Sequence, residues 1–375
     1  MSRVKLRWSS VVVLRKRGPV STNRFYIFHG GLREWEIDRD PPSLWPDLNY
    51  FSQVLRAFDG ITSESNLRVI VTDEVNGNLP FLGNDVVVLC LRDELCRVPS
   101  YAHDVRVVAK TYGVHWTPNL LGGKRRSPAG FATTLAQESL VQVRRGPSRL
   151  SAALRTVRKG QGPAIVVIPL GTYMLKDRPF VPFGERQFDV SFAGSRVNRL
   201  KDAKRSIPTQ KSRSRRELEA ALSLLPRSHP DLQVGLHVVD TFHDAVRHAD
   251  TYSELLMNSR IALCPRGGSL ETYRYFEALR CGAVPVSERL PDRSFYTGAP
   301  GLRVRRWAEL SAVLGQLLSE PTRLQRMHEE ALRWWAERCS PDAVARDLFH
   351  ALRMSKDVAG GDPVRALPFR RRPHA

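Results

Sequence analysis

Short apolar, β-branched runs alternate with segments of helical periodicity along the first part of the chain. The runs that predict strands are residues 11–14, 25–28, 67–71, 85–91 and 105–109. Between two of them, Tyr50, Val54, Leu55 and Phe58 recur at the i, i+4, i+5 and i+8 spacing of an amphipathic helix, and residues 133–154 are also predicted to be mostly helical. Strands that alternate with helices predict a mainly parallel sheet covered on both faces.

A second series of the same kind follows Gly160, Gly162 and Pro163. Its predicted strands are residues 165–168, 188–192, 233–239, 261–264 and 283–286. Its predicted helices are residues 215–225, 252–258, 270–280, 308–318, 321–338 and 341–353, the last two each opened by a proline suited to a first turn. The fold class predicted by this pattern is α/β.

The organisation that follows is two successive α/β domains, at residues 1–160 and 161–340. Residues 341–354 are predicted to form a terminal helix that packs back on the first domain. Residues 355–375 turn to Gly, Pro and Arg without periodicity, so they are predicted to be a disordered basic tail.

Composition narrows the class of protein only a little. The hydrophobic fraction of 42% and charged fraction of 26% are those of a globular protein. The sequence has no apolar run near the roughly 18 residues that span a bilayer and no clear signal peptide, which predicts a cytoplasmic protein. The five cysteines form neither a CxxC pair nor a Cys/His cluster of zinc spacing, so they are predicted to be buried, reduced thiols.

The formal net charge of +20 makes anionic ligands plausible. The basic residues are spread along the chain, with two clusters, at residues 201–216 and 370–372. A nucleic-acid-binding protein built on the first cluster is the main alternative to an enzyme, although such a protein is expected to gather its basic residues on one arm or helix face, with aromatic residues for base stacking.

The most informative stretch is residues 258–286. The strand ends at Pro265, and the chain then passes through Arg266, Gly267 and Gly268 to Ser269, which is predicted to cap the next helix. A glycine turn that leads into a helix N-terminus offers free N–H groups and a positive dipole end to a phosphate, and Arg266 adds a guanidinium there.

Farther along this predicted helix, Arg274 and Glu277 share one face, and Gly282 ends the helix as a left-handed cap. A carboxylate at this place can accept hydrogen bonds from a ribose diol. The same spacing is also that of an ordinary strand–turn–helix with a surface Glu–Arg pair, because such i, i+3 pairs are common.

Three short motifs in this stretch resemble exostosin-like glycosyltransferases (glycosyltransferase family 47). They are Pro-Arg-Gly at 265–267, Arg-Tyr-Phe-Glu-Ala-Leu at 274–279 and Gly-x-x-Pro-Val at 282–286. Upstream, residues 168–170, 188–196 and 215–218 also resemble the family, so the likeness covers roughly residues 165–292.

The resemblance implies a GT-B fold, in which two Rossmann-like domains face a cleft. The domain at 161–340 then binds a nucleotide-diphosphate sugar, preferably a UDP-sugar, and the domain at 1–160 takes the carbohydrate or other hydroxyl acceptor. Transfer inverts the anomeric centre and needs no metal or other cofactor. Nucleic acid is not an expected partner.

The resemblance also assigns donor-binding residues. Glu277 matches the ribose-binding glutamate of the family, and Arg196, Arg266 and Arg274 match positions near the diphosphate. The full expected donor set is Gly194, Ser195, Arg196, Arg266, Gly267, Gly268, Ser269, Arg274 and Glu277. With guanidinium groups to stabilise the leaving diphosphate, a metal ion is redundant.

Two short motifs resemble metal-binding or phosphate-binding sequences but lack the context that such sites need. Asp38, Arg39 and Asp40 form a DxD triplet, but Pro41 follows it and no clear strand precedes it, so a solvated turn is favoured over a metal site. Residues 122–124, Gly-Gly-Lys, lack the other glycine and the Ser/Thr of a phosphate-binding P-loop.

An inverting transfer needs a base that deprotonates the acceptor hydroxyl. The first domain offers three sets of candidates at strand ends, namely His29, the pair Asp73-Glu74 and the pair Asp93-Glu94, from which His29, Glu74 and Asp93 are the candidate residues. His29 is preferred because the following glycines let the backbone approach a donor closely. Each could instead be a cap or a surface charge, and an inactive GT-B scaffold that only binds nucleotide sugar remains open.

Overall fold

The computed structural model describes residues 21–63, 65–115, 128–195, 209–239 and 246–360. Several sequence predictions lie outside these residues. They are the strand at 11–14, the Gly-Gly-Lys triplet at 122–124, Arg196, the basic run at 201–208 and the tail beyond residue 360.

The first sheet has six strands. They are β1 (Arg24–Phe28), β2 (Leu32–Glu34), β3 (Arg68–Thr72), β4 (Gly83–Cys90), β5 (Val105–Lys110) and β6 (Ile165–Val167). Their order is β2-β1-β3-β4-β5-β6, with every pair parallel except β1–β2. Two helices belong to this part of the chain, α1 (Leu48–Thr62) and α2 (Pro128–Lys159).

The strand β6 corrects the predicted division of the chain at residue 160. The sequence predicts this strand as the first of the second domain, but Ala109 of β5 pairs with Val166 of β6 in parallel register. The helix α2 is therefore the crossover of a βαβ unit that returns to the same sheet. The first sheet is complete only after Val167, and the second begins with the next strand.

The second sheet has five parallel strands. They are β7 (Phe188–Ser195), β8 (Val234–Val239), β9 (Ser259–Cys264), β10 (Val284–Ser287) and β11 (Leu302–Arg303), in the order β11-β10-β9-β7-β8. The helices are α3 (Gln210–Ser228), α4 (Ala249–Met257), α5 (Tyr273–Cys281), α6 (Leu310–Leu318), α7 (Pro321–Trp334) and α8 (Pro341–Gly360). The predicted α/β fold, with two Rossmann-like units built on mainly parallel sheets, is confirmed.

Each sheet is buried between helices, as its near-continuous apolar strands require. In the first unit, Phe51, Val54 and Leu55 of α1 are fully buried against the strands. In the second, Trp307 is fully buried in a core formed by the surrounding strands and helices. All five cysteines are free and buried, as predicted.

The last helix, α8, joins the first unit although it is last in the sequence. Val344, Leu348 and Leu352 are buried in the same core as α1. The Tyr50 hydroxyl donates a 2.6 Å hydrogen bond to the Cys339 carbonyl just before this helix. The helix continues to Gly360, beyond the predicted limit at residue 354. None of the helices within the described ranges combines the length and apolar character needed to cross a membrane.

Candidate functional site

A cavity of 320 Å³ lies where the carboxyl ends of the strands of the two sheets meet. Arg92 and Glu94 follow β4, Tyr112 follows β5, and residues 267–277 follow β9. Its walls are formed by Arg92, Glu94, Tyr112, Tyr173, Met174, Gly194, Lys211, Arg215, Tyr252, Gly267, Gly268, Glu271, Thr272, Tyr273, Arg274 and Glu277. This edge of a parallel sheet is where ligands bind in open α/β folds.

Three basic side chains line the cavity from the second unit. Lys211 and Arg215 lie one turn apart at the start of α3, and Arg274 lies in the first turn of α5. Both arginines are 7% exposed. Burial and the charge of Arg274 lower the pKa of Arg215, against the opposing effect of Glu219. Two buried guanidinium groups that repel each other form a site for an anion.

Arg274 has hydrogen-bonding capacity to spare. Its guanidinium stacks over the Phe192 ring at 5.3 Å, and neither Nε nor Nη1 has a hydrogen-bond partner among the described residues. A Cβ atom at Gly194 would lie 2.5 Å from Nη2, so glycine there allows the guanidinium to rest against the end of β7. Unsatisfied buried donors in a cavity are best explained by a ligand that supplies acceptors.

Glu277 is fully buried at the back of the cavity. Its Oε1 accepts hydrogen bonds from the backbone N–H groups of Tyr173 (2.8 Å) and Met174 (3.0 Å), and its Oε2 accepts one from the Tyr252 hydroxyl. Burial and the charge of Glu277 raise the pKa of Tyr252, which remains a donor. Because a carboxylate has about four acceptor positions, one position on Oε2 is left for a ligand hydroxyl.

The predicted residues of the glycine turn separate into two groups. Gly267 and Gly268 line the cavity, whereas Arg266 and Ser269 do not. Arg266 is 2% exposed and donates from Nη1 to the Gln210 side chain and from Nη2 to the Gly268 carbonyl at 3.3 Å. Its guanidinium therefore supports the turn from behind.

The prediction that Ser269 caps the following helix is wrong. The helix α5 begins at Tyr273, after Thr272, and the Ser269 hydroxyl accepts a hydrogen bond from the Glu271 N–H at 3.0 Å. A serine that bonds the backbone two residues ahead stabilises a turn in place of a helix start. The left-handed cap at Gly282 is confirmed by its φ of 72°.

The candidate bases His29 and Glu74 lie together outside the cavity. His29 Nδ1 is 2.9 Å from Asp73 Oδ1, and Glu74 Oε1 accepts a hydrogen bond from the Gly30 N–H at 3.0 Å. The His29 ring packs edge-on against Trp45 at 5.2 Å, and Trp45 in turn lies 5.8 Å from the Arg92 guanidinium. This cluster adjoins the cavity without lining it.

The third candidate, Asp93, is a buried ion-pair partner. Its carboxylate is 2.9 Å from Lys110 Nζ and 3.0 Å from Arg97 Nε. Burial favours a higher pKa for Asp93, but Lys110 and Arg97 lower the pKa below its ordinary value. All of this hydrogen bonding is internal, so Asp93 positions the loop that follows β4.

The neighbouring Glu94 faces the cavity instead. Its side chain is accessible from the cavity, and its carboxylate takes part in no hydrogen bond or ion pair within the described ranges. Loss of water around the side chain raises the pKa of Glu94, although the positive charges of Lys211, Arg92 and Arg266 oppose the rise. A Cβ atom at Gly268 would lie 1.8 Å from Glu94 Oε2, so this carboxylate reaches across to the turn of the second unit.

Polar contacts also join the two walls of the cavity. Tyr273 donates a 2.8 Å hydrogen bond to Asp47, a fully buried residue at the start of α1, and Arg92 Nη1 lies 3.5 Å from the same carboxylate. Burial raises the pKa of Asp47 above its ordinary value, although Arg92 and Tyr273 partly oppose the rise. On the other side, Arg293 of the second unit donates a hydrogen bond from Nη2 to the Tyr112 carbonyl of the first unit, and it also pairs with Glu271 at 2.9 Å.

Sequence reasoning missed Arg215 and Lys211 as cavity residues and took Asp93 in place of Glu94. It placed Arg215 in a basic cluster, and helical spacing alone could have put Lys211 and Arg215 on one face. The side chain of Ser195 and all of Arg196 lie outside the described residues.

The DxD triplet at residues 38–40 is exposed and sits in a turn, as predicted, with Arg39 paired to Glu36. Within the described ranges, no three His, Cys, Asp or Glu side chains are grouped closely enough to hold a metal ion.

Comparison with known families finds a match to part of the chain. Residues 210–340 match the profile described as the RXYLT1 C-terminal domain. This segment contains α3 and α5 and therefore the three basic side chains that line the cavity from the second unit. The sequence matches no curated protein.

Solved structures with similar folds include glycosyltransferases. The GtfA/B complex aligns at 12% identity and a TM-score of 0.41, over 82% of this chain and 61% of that chain, so this chain spans less than two thirds of its length. HepE from Anabaena, in complex with UDP and glucose, aligns at 11% identity and a TM-score of 0.39, over 89% and 99%. Sucrose-phosphate synthase from Thermosynechococcus elongatus aligns at 13% identity and a TM-score of 0.40, over 82% and 93%.

Proposed function

We propose that this chain is an exostosin-like, inverting glycosyltransferase of family 47 that moves a sugar from a UDP-sugar to a hydroxyl acceptor without a metal ion. One observation carries the proposal. Arg215 and Arg274 line the cavity from the second unit, and the Glu94 carboxylate, which has no hydrogen-bond or ion-pair partner among the described residues, lines it from the first. Buried cations suit a diphosphate leaving group, and a free carboxylate suits a proton acceptor.

The donor diphosphate is placed against Arg215 and Arg274. Gly267 and Gly268 have no side chain to exclude it, and Thr272 at the start of α5 brings the positive end of a helix dipole to the same wall. The remaining acceptor position of Glu277 suits a ribose hydroxyl. Arg196 and Ser195 stay in the proposed donor set on the sequence resemblance alone.

Glu94 is the proposed catalytic base. In a single displacement, the acceptor oxygen forms a bond to the anomeric carbon while its proton passes to Glu94. The bond from that carbon to the diphosphate oxygen breaks with its electron pair, and UDP leaves. Arg215 and Arg274 stabilise the charge that develops on UDP, which is the part that a metal ion plays in other transferases.

The direct test is binding of UDP to the folded chain, by calorimetry and by thermal shift. We expect UDP at about 100 times its Kd to stabilise the fold by about 2.7 kcal/mol. The absence of affinity for any nucleoside diphosphate would overturn the proposal. Binding of UDP-sugars without hydrolysis or transfer to any acceptor in a broad panel would instead identify an inactive scaffold.

Gly268→Ala tests whether Glu94 must reach the turn. The added methyl group would lie 1.8 Å from Glu94 Oε2, so the flexible carboxylate must move while the fold persists. We expect kcat for transfer to fall about tenfold or more, because misplacing a catalytic group by about 1 Å is costly. Any fall in UDP affinity should be shared by Gly267→Ala, because both glycines border the proposed diphosphate position.

Gly267→Ala is the matched control. A methyl group at residue 267 lies 4.0 Å from Glu94 Oε1 and 3.3 Å from the Glu271 carbonyl, which small shifts accommodate. Equal losses of kcat in the two variants would show that the effect belongs to the turn and not to the position of Glu94.

A further inference from the structure

The long helix α2 packs against the first unit with its polar face. Arg145 is fully buried and donates hydrogen bonds from Nη2 to the carbonyls of Cys96 (3.0 Å) and Val114 (2.8 Å). Farther toward the C-terminal end of the helix, Arg155 and Lys159 both pair with Asp104, at 2.8 Å and 2.7 Å. The helix is thus fixed to the domain largely through charged and polar groups.

The opposite face of α2 is apolar and exposed. Its side chains are Leu140 (51% exposed), Val143 (71%), Leu150 (63%), Leu154 (62%) and Val157 (83%). At 3.6 residues per turn, these five positions fall in one stripe about 26 Å long, on the side of the helix away from Arg145. We call them the α2 stripe. A surface helix normally has the reverse arrangement, and a contiguous exposed apolar patch marks an interaction surface.

The charges beside the α2 stripe identify the kind of partner. Arg144 and Arg158 lie along one edge of the stripe, both are exposed, and Glu138 is the single acidic residue in the sequence of this helix. In an antiparallel pair of α2 helices from two copies, these arginines would face each other, and each copy carries a net charge of +20. An anionic surface complements Arg144 and Arg158, whereas the same two arginines of a second copy repel them.

We propose that α2 binds an anionic membrane surface, with the α2 stripe at the boundary between headgroups and acyl chains and Arg144 and Arg158 on lipid phosphates. A protruding helix fits a plane without needing a matching groove. Aliphatic side chains on one side and cationic side chains at the edge are the two elements by which an interfacial helix is held. The proposal is independent of the proposed transfer reaction.

The test is co-sedimentation of the full chain with vesicles. We expect binding to vesicles of phosphatidylcholine mixed with phosphatidylglycerol, weaker binding at high salt, and little binding to phosphatidylcholine alone. The double variant Leu150→Gln/Leu154→Gln should bind the mixed vesicles about tenfold or more weakly, because each exposed leucine contributes apolar area at the interface. Both positions are exposed, so folding should be retained.

The matched control is Leu224→Gln/Leu236→Gln, which changes two leucines that are 55% exposed on the second unit. This control should bind the mixed vesicles as the unchanged chain does. Three results would overturn the proposal: no binding to anionic vesicles, equal binding by the stripe variant and the unchanged chain, or a dimer in solution that the stripe variant dissociates. The second result would assign vesicle binding to the dispersed positive charge.

Discussion

Glu94→Gln is expected to lower kcat for sugar transfer by about 100-fold to 10,000-fold, the usual contribution of general base catalysis. An amide has nearly the shape of the carboxylate but cannot accept the acceptor's proton. UDP affinity should fall little or rise, because the variant removes a negative charge from a cavity meant for an anion. The measurement is steady-state kinetics with a UDP-sugar alongside calorimetry with UDP.

The pH profile separates this role from a structural one. Loss of water around the side chain raises the pKa of Glu94 above its ordinary value, and a base works only when it is deprotonated. The value of kcat/KM should therefore fall as pH falls through this raised pKa, and this acid limb should be absent in Glu94→Gln. An unchanged acid limb in the variant would exclude Glu94 as the base.

Asp93→Asn is the matched comparison, one residue away. It removes the partner of Lys110, whose side chain is fully buried 2.9 Å away. Breaking a buried ion pair by removing one member costs about 3–5 kcal/mol. We therefore expect a marked fall in Tm for Asp93→Asn and almost none for Glu94→Gln, so the two neighbouring carboxylates should give opposite phenotypes.

Arg274→Met is expected to weaken UDP binding about 100-fold, which corresponds to about 3 kcal/mol. The guanidinium has two nitrogen atoms without a partner among the described residues, and charge-assisted hydrogen bonds to a diphosphate contribute about 1.5–3 kcal/mol each. The free protein should keep its Tm or gain stability, because Arg215 loses a buried like-charged neighbour. Calorimetry and thermal unfolding of the same samples check both results.

Arg303→Met provides the control for Arg274. Arg303 also stacks on an aromatic ring, that of Tyr275 at 5.1 Å, and it donates 3.0 Å hydrogen bonds to the hydroxyls of Ser287 and Tyr275. It does not line the cavity. This variant should lower Tm and leave UDP affinity unchanged. If Arg274→Met kept full affinity, the proposed position of the diphosphate would be wrong.

The elements of the fold could be predicted because buried parallel strands must be apolar throughout. The strands β3, β4 and β5 lie within two residues of the apolar runs that predicted them. Which strands pair could not be predicted in this way, because the pairing depends on the sheet to which the chain returns after each helix. Nothing in the apolar run of β6 indicates whether it pairs with β5 or starts a new sheet.

The candidate site was harder to predict, because residue type and spacing do not fix the direction of a side chain. Asp93 and Glu94 are adjacent acids at the end of one strand, and successive side chains near a strand end point to different sides. The contacts with Lys110 and Arg97 distinguish the buried acid from the one in the cavity. In the same way, Arg266 carries the family motif but bonds to its own turn, while Arg215 supplies the cavity charge.

The position of α8 in the core of the first unit has a consequence for biosynthesis. A ribosome releases the six strands of the first sheet long before it releases Val344, Leu348 and Leu352. Until then, the face of α1 that these side chains cover stays open to water, and the second unit is made in the interval. The first unit therefore finishes folding last, and a fragment that ends before α8 lacks part of the core of its own N-terminal sheet.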